Sequence, residues 1–231
     1  MALPSLNTPK YSLTIPSTGD VIDFRPFLVK EEKLLLLALE SGNEDEMTRA
    51  LEQIVENCTF GAIEIQNLPT FDLEYIFLNI RAKAVGDIIE LSVLCPDDKE
   101  TYTEVSINVS DIKVEVSEGH DNNIKLTDDI GIMMTYPRLG QMKNLGALTT
   151  DTAFKIIKGC IYQIYDSDQV YEDFNDQELD DFLVNLTPDQ FQLIELFFET
   201  MPKLRHKVEV TNPKTNVSGE VVLEGLTSFF A

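Results

Sequence analysis

The sequence contains no tryptophan, two histidines and three cysteines among its 231 residues. Nucleophilic catalysis by serine or cysteine usually needs a nearby base, most often histidine, so few groups are available for that chemistry. His120 lies in an acidic loop, and His206 lies among basic residues just before a predicted strand. Neither a Gly-rich phosphate loop nor a dinucleotide fingerprint occurs. We therefore predict that the protein is not an enzyme, with no catalytic residues and no cofactor.

Long apolar segments are also missing. The longest run, Leu34 to Leu39, is far shorter than the roughly 18 residues that span a bilayer. Residues 1–10 lack the basic start and apolar block of a secretory signal, which predicts a soluble protein made in the cytosol. The odd number of cysteines, Cys58, Cys95 and Cys160, predicts free buried thiols in a reducing compartment.

Positive charge is scarce, because 18 Lys and Arg face 40 Asp and Glu, for a net charge of −22. Affinity for nucleic acids and anionic membranes depends largely on clustered Lys and Arg, so we expect neither as a partner. Strong negative charge usually serves solubility. An alternative is that the protein mimics nucleic acid and inhibits a DNA-binding protein by occupying its basic groove.

Two segments come close to metal-binding motifs. Residues 166–173 alternate aspartates as a calcium loop does, but the central glycine is missing and Val170 occupies the fifth position. The turn from Cys95 to Asp98 resembles a zinc-ribbon knuckle without its second cysteine, and structural zinc needs four nearby ligands. The sequence therefore predicts no metal site.

The hydrophobic periodicity predicts an α+β fold without βαβ alternation. A short N-terminal strand pair, which includes Val21 to Phe24, precedes helical segments at about 28–86 and 150–202. Two β-hairpin regions are expected at about 87–126 and 206–225. We expect three parts, namely 1–86, 87–149 and 150–231, and whether the last packs with the first as one domain is open.

Local signals refine this order. Residues 28–41 and 44–57 predict two helices packed as a hairpin, and Gly42 suits a left-handed cap. Residues 62–65 resemble a strand, and residues 152–165 are expected to form one helix. The strongest signal is Thr187-Pro188-Asp189-Gln190, a capping box with proline at the first helical position. Residues 130–148 allow no clear assignment.

Aromatic, arginine and methionine residues are enriched at protein interfaces, which gives a set of candidate partner-binding residues. For Phe24, Arg25 and Phe27, the alternative is that both phenylalanines fill the core while the arginine pairs with an acid. For Phe229 and Phe230, a docked tail and a partner contact are equally open. The candidates are Phe24, Arg25, Phe27, Met133, Met134, Phe229 and Phe230.

Three segments resemble one known family. Residues 13–19 followed by 24–36, from Leu-Thr-Ile-Pro-Ser-Thr-Gly to Phe-Arg-Pro-Phe-Leu-Val-Lys-Glu-Glu-Lys-Leu-Leu-Leu, look like the opening of the baseplate hub assembly proteins of T-even-like contractile-tailed bacteriophages. Residues 77–86 and 223–230 are similar to the middle and the end of the same family. Its relatives often carry cysteine pairs in the two hairpin turns. This chain keeps only Cys95 there, which argues against zinc.

The resemblance implies a non-enzymatic protein of tail morphogenesis. It would act through protein–protein binding, either as a component of the baseplate hub or as an assembly chaperone. The implied partners are hub and tape-measure proteins, and a homo-oligomer is left open. The expected location is the host cytoplasm during assembly, and presence in the virion baseplate is open.

Overall fold

A computed structural model describes residues 7–142 and 149–229. The α-helices are α1 (Val29–Ser41), α2 (Glu44–Cys58), α3 (Thr70–Val85), α4 (Leu139–Met142), α5 (Thr150–Cys160), α6 (Asp176–Val184) and α7 (Pro188–Thr200). The strands are β1 (Tyr11–Thr14), β2 (Val21–Phe24), β3 (Ile88–Leu94), β4 (Tyr102–Asn108), β5 (Lys113–Glu115), β6 (Asn123–Lys125), β7 (Gly131–Met134), β8 (Ile161–Tyr165), β9 (Val170–Tyr171), β10 (Lys203–Thr211) and β11 (Ser218–Glu224). All the strand pairs are antiparallel. The predicted α+β class is confirmed.

The chain divides into two compact units. The larger unit comprises residues 1–115 and 203–231, and the smaller unit comprises residues 116–202. The three parts expected from the sequence, 1–86, 87–149 and 150–231, stay a prediction. In the structure, β10 pairs with both β11 and β5, so the C-terminal hairpin and the segment at 113–115 share one sheet. Strands that lie so far apart along the chain leave no local sequence pattern that predicts their pairing.

The larger unit contains three small sheets and the helices α1, α2 and α3. Strands β1 and β2 form the predicted N-terminal pair, β3 and β4 form the first hairpin, and β10 with β11 forms the second. Helices α1 and α2 pack together as predicted. Gly42 caps α1 with φ 64°, the left-handed conformation that glycine adopts without strain.

Helix α3 supplies much of the core of the larger unit. Ile76, Phe77, Leu78 and Ile80 are completely buried, as is the neighbouring Ile54 of α2. Before α3, a strand predicted at residues 62–65 is wrong, because the chain forms a short 3₁₀ helix at Ile65–Asn67. Ile65 itself is buried, so its apolar character serves packing and not strand pairing.

The smaller unit has a four-stranded sheet in the order β6-β7-β8-β9 and the helices α4 to α7. The predicted helix over 152–165 is correct only as far as Cys160, because residues 161–165 form β8 and pair with β7. Gly131 lies opposite Tyr165, and a Cβ at that glycine would fall within 2.2 Å of the Tyr165 hydroxyl. The glycine therefore leaves room for that ring.

Helix α7 begins as predicted. Thr187 Oγ1 accepts from the Gln190 amide, and the Gln190 side chain accepts from the Thr187 amide at 2.9 Å. The core of the smaller unit surrounds Ile132, Met134, Ile194 and Phe197, all nearly or fully buried. In the described part of the chain, no helix has the length and apolar character needed to cross a membrane.

Candidate interaction surface

Helix α1 exposes a set of large apolar side chains. Val29 is 78% exposed, Leu36 and Leu37 are a little over half exposed, and Leu39 is 44% exposed. We call these four residues the leucine face of α1. Several large apolar side chains exposed on one helix mark a candidate interaction site.

The leucine face follows from the sequence of the helix. Residues 34–39 are six consecutive apolar residues, and a period of 3.6 residues per turn distributes such a run around the whole helix. Glu31, Leu35 and Ala38 form the buried side. The leucines at 36, 37 and 39 therefore remain on the outside.

A buried ion pair fixes the beginning of α1. The Arg25 guanidinium donates to Glu31 Oε1 at 3.0 Å and to the Pro26 carbonyl at 2.9 Å. Glu31 Oε2 accepts from the Leu28 amide at 2.9 Å, which satisfies an unpaired amide at the helix start. Both side chains are nearly inaccessible, so the pair orients the exposed face that follows.

The environment of Glu31 favours its ionised form. Burial raises the pKa of this carboxyl, but the hydrogen bonds from Arg25, the Leu28 amide and Lys30 lower it by more. The pKa therefore lies below its usual value. A carboxylate held in this way stabilises the fold only while it is ionised.

The sequence-predicted residues near α1 are largely internal. Phe24 is 2% exposed and Arg25 is 8% exposed, and Arg25 pairs with Glu31. Phe27 is half-buried. The structure thus places Phe24 and Arg25 where the alternative interpretation put them, in the core and in an ion pair. Contact of these three residues with a partner stays a prediction.

The other predicted residues lie elsewhere in the fold. Met134 is fully buried in β7, and the adjacent Met133 is half-buried. Phe229 is also fully buried, and so contributes to the core of the larger unit. Phe230 lies outside the described residues. Partner contact by these residues also stays a prediction. Residue-type preferences at interfaces do not indicate the leucine face, because they favour aromatic, arginine and methionine residues.

Hydrogen bonds join the tips of the two hairpins in the larger unit, at the turn from Cys95 to Asp98 that resembles a zinc knuckle. The buried Asn212 amide donates to both Asp97 oxygens, at 2.9 and 3.1 Å, and Thr215 Oγ1 donates to Oδ2 at 2.6 Å. Pro96 lies so close to Gly219 that a Cβ there would approach its Cγ to 2.7 Å. These contacts hold the tips without a cysteine pair.

His120, the histidine of the acidic loop, belongs to a polar network inside the smaller unit. Its Nδ1 lies 3.0 Å from Thr200 Oγ1, and its Nε2 lies 3.2 Å from the Tyr136 hydroxyl. The imidazole also stacks against Tyr136 and packs against the buried Phe197. Burial lowers the pKa of His120, against a smaller opposing effect of Asp121.

A pH-dependent stability of the smaller unit follows. Because the pKa of His120 is lower in the folded state, the unfolded state takes up its proton first, from about pH 6.5 downward. The free energy of unfolding should therefore fall with pH below that value, until the folded-state pKa is passed. Hydrogen exchange at pH 7 and pH 5, compared between the wild type and His120→Gln, isolates this contribution. If His120→Gln loses as much free energy of unfolding between pH 7 and pH 5 as the wild type does, the prediction is wrong.

Comparison with known proteins gives one result that covers almost the whole chain. A family model described as "T4 bacteriophage base plate protein" matches residues 8–231. No curated protein and no solved structure matches the chain. The matched region includes every element that carries the leucine face and the hairpin tips.

Proposed function

Because this chain belongs to the T4 bacteriophage base plate protein family, we propose that it is a non-enzymatic protein of tail morphogenesis that acts by binding other proteins. Its expected partners are the hub and tape-measure proteins. It serves either as a component of the baseplate hub or as a chaperone in hub assembly, in the host cytoplasm. The leucine face of α1 is the observation that most directly supports binding.

The physical argument rests on apolar area. Burying a leucine side chain that is exposed in the free protein contributes about 1.5–3 kcal/mol before the costs of association. Leu36 and Leu37 are each a little over half exposed, so about half of this free energy is still available on binding. Glu32, Lys33 and Glu40 are exposed on the same side of α1, so charged side chains lie among the apolar ones.

The proposal is tested in cells infected with the phage that encodes this chain. Tagged wild-type protein should recover hub or tape-measure proteins, and Leu36→Glu should reduce that recovery at least tenfold, since it places a charge in the apolar contact. Leu196→Glu is the matched control, because Leu196 is also a half-exposed leucine within a helix.

The outcomes separate clearly. If the wild-type protein recovers no hub or tape-measure protein, the proposed function is wrong. If both variants reduce recovery equally, the leucine face is not the binding surface. Mass spectrometry of purified virions distinguishes the two roles, because a hub component stays in the particle whereas a chaperone leaves it.

A further inference from the structure

A pocket of about 310 Å³ lies in the smaller unit, between β8, the turn to β9 and the beginning of α6. Its volume is at the lower end of the range of ligand sites. The floor is apolar and includes Ile164 and the buried Leu179. Four of its lining residues are aromatic, namely Tyr165, Tyr171, Phe174 and Phe182. The pocket is therefore large enough for one extended side chain.

The fold positions two of these aromatic residues firmly. Tyr171 lies in β9 opposite Ile164, and its hydroxyl donates to Asp166 Oδ2 at 2.8 Å. The Tyr165 hydroxyl donates to Asn123 Oδ1 at 2.5 Å. Rings held by both strand pairing and a hydrogen bond need little reordering when a ligand binds.

Three carboxylates share the pocket with the rings, namely Asp166, Asp173 and Glu178. Asp166 Oδ1 accepts from the amides of Asp168 and Gln169, at 2.8 and 2.9 Å. These backbone hydrogen bonds, with that from Tyr171, lower the pKa of Asp166. One Glu178 oxygen accepts from the Asn175 amide at 2.8 Å, and Asp173 is exposed.

The surrounding sequence leaves this negative charge largely uncompensated. Residues 166–181 contain eight Asp and Glu and no Lys or Arg. Lys158 reaches this segment, but its ammonium pairs with Asp180 at 2.8 Å and lies 3.8 Å from Asp176. Neither of those aspartates lines the pocket.

This combination selects for a cation. An anion would be repelled, and a neutral apolar group would desolvate the carboxylates without pairing them. A guanidinium can stack flat on an aromatic face and donate two parallel hydrogen bonds to a carboxylate, whereas an ammonium is a compact charge without this planar fork of donors. We propose that the pocket receives an arginine side chain from a basic segment of a protein partner. This inference rests on the proposed function, because it names the chemistry of a partner of the same assembly.

The first test uses full-length protein and a small probe. N-acetyl-arginine methylamide is titrated at low salt while the aromatic resonances are followed by NMR. Saturable shifts are expected for Tyr171, Phe174 and Phe182, and no shift for Tyr162, an exposed tyrosine outside the pocket. The matched probe is N-acetyl-citrulline methylamide, which has nearly the same shape but no charge. Equal binding of the citrulline probe would overturn the proposal.

Variants assign the effect to particular groups. Tyr171→Leu should raise the dissociation constant about two- to fivefold, whereas Tyr171→Phe, which keeps the ring, should change it little. Asp173→Asn removes an exposed pocket charge and should also weaken binding. Glu195→Gln also removes one exposed negative charge, but on α7 outside the pocket, and should leave the dissociation constant unchanged. Equal weakening by Asp173→Asn and Glu195→Gln would show diffuse attraction and contradict the proposal.

Salt separates this inference from the proposed function. At 1 M salt, charges are screened within about 3 Å, so the arginine probe should dissociate, whereas docking on the leucine face should persist. Failure of the probe with intact recovery of hub proteins overturns the pocket alone. Binding of the probe without recovery of hub or tape-measure proteins overturns the proposed function alone.

Discussion

Replacing Glu31 with alanine should lower the free energy of unfolding of the larger unit by about 3–5 kcal/mol. The substitution leaves the buried Arg25 guanidinium without its carboxylate and the Leu28 amide without its acceptor. Removing one partner of a buried pair is costly because the remaining charge stays desolvated. Native-state hydrogen exchange measures the stability of this unit separately from the smaller one.

Two further variants give this prediction its controls. Glu32→Ala removes the neighbouring but exposed carboxylate of the same helix turn, and should change the stability by less than about 0.5 kcal/mol. The double variant Arg25→Met with Glu31→Leu should be much less destabilised than Glu31→Ala, since no buried charge remains. A cost in Glu31→Ala no larger than in Glu32→Ala would show that the ion pair contributes little.

Replacing Asn212 with alanine should cost about 2–3 kcal/mol, because the hydrogen bonds to a charged Asp97 are lost. The Lys214 amide, which donates to Asn212 Oδ1 at 2.8 Å, also loses its acceptor. Urea unfolding followed by circular dichroism measures the change. Lys214→Ala is the control, because that side chain is exposed on the same turn.

A second substitution at this position tests the role of charge. Asn212→Asp keeps the shape but places two carboxylates side by side, so at pH 7 it should cost more than alanine. Its stability relative to the alanine variant should recover toward pH 4, where one carboxyl takes up a proton. In the wild type, hydrogen bonds from Thr215 and Asn212 lower the pKa of Asp97. That contribution is present above the unfolded-state pKa and is lost as the pH falls below it.

Local chemistry made much of the fold predictable. The left-handed cap at Gly42 and the capping box from Thr187 to Gln190 depend on neighbours within four residues, and both are confirmed. The sequence predicts residues 161–165 as the end of a helix, because they become strand β8 only by pairing with β7. The pairing of β5 with β10 spans the whole smaller unit, and no local pattern in the sequence predicts it.

The two candidate surfaces also differ in whether local sequence or long-range packing determines them. The leucine face could have been found from the sequence, because six apolar residues in a row cannot all lie on one side of a helix. Residue-type preferences at interfaces indicate Phe24 instead, which the fold buries. The pocket could not be found in this way, since Ile130 and Phe182 meet only after the sheet and α6 have formed.

The burial of the thiols gives the chain a practical advantage. Cys58, Cys95 and Cys160 are completely buried, and burial raises the pKa of Cys58 to about 11 and that of Cys160 to about 12. Because the thiolate is the reacting form, maleimides and other thiol reagents should not modify these cysteines in the native protein. A cysteine introduced in place of Leu37 would then accept a photo-crosslinker selectively. The neighbour that touches α1 during assembly could be captured and identified in this way.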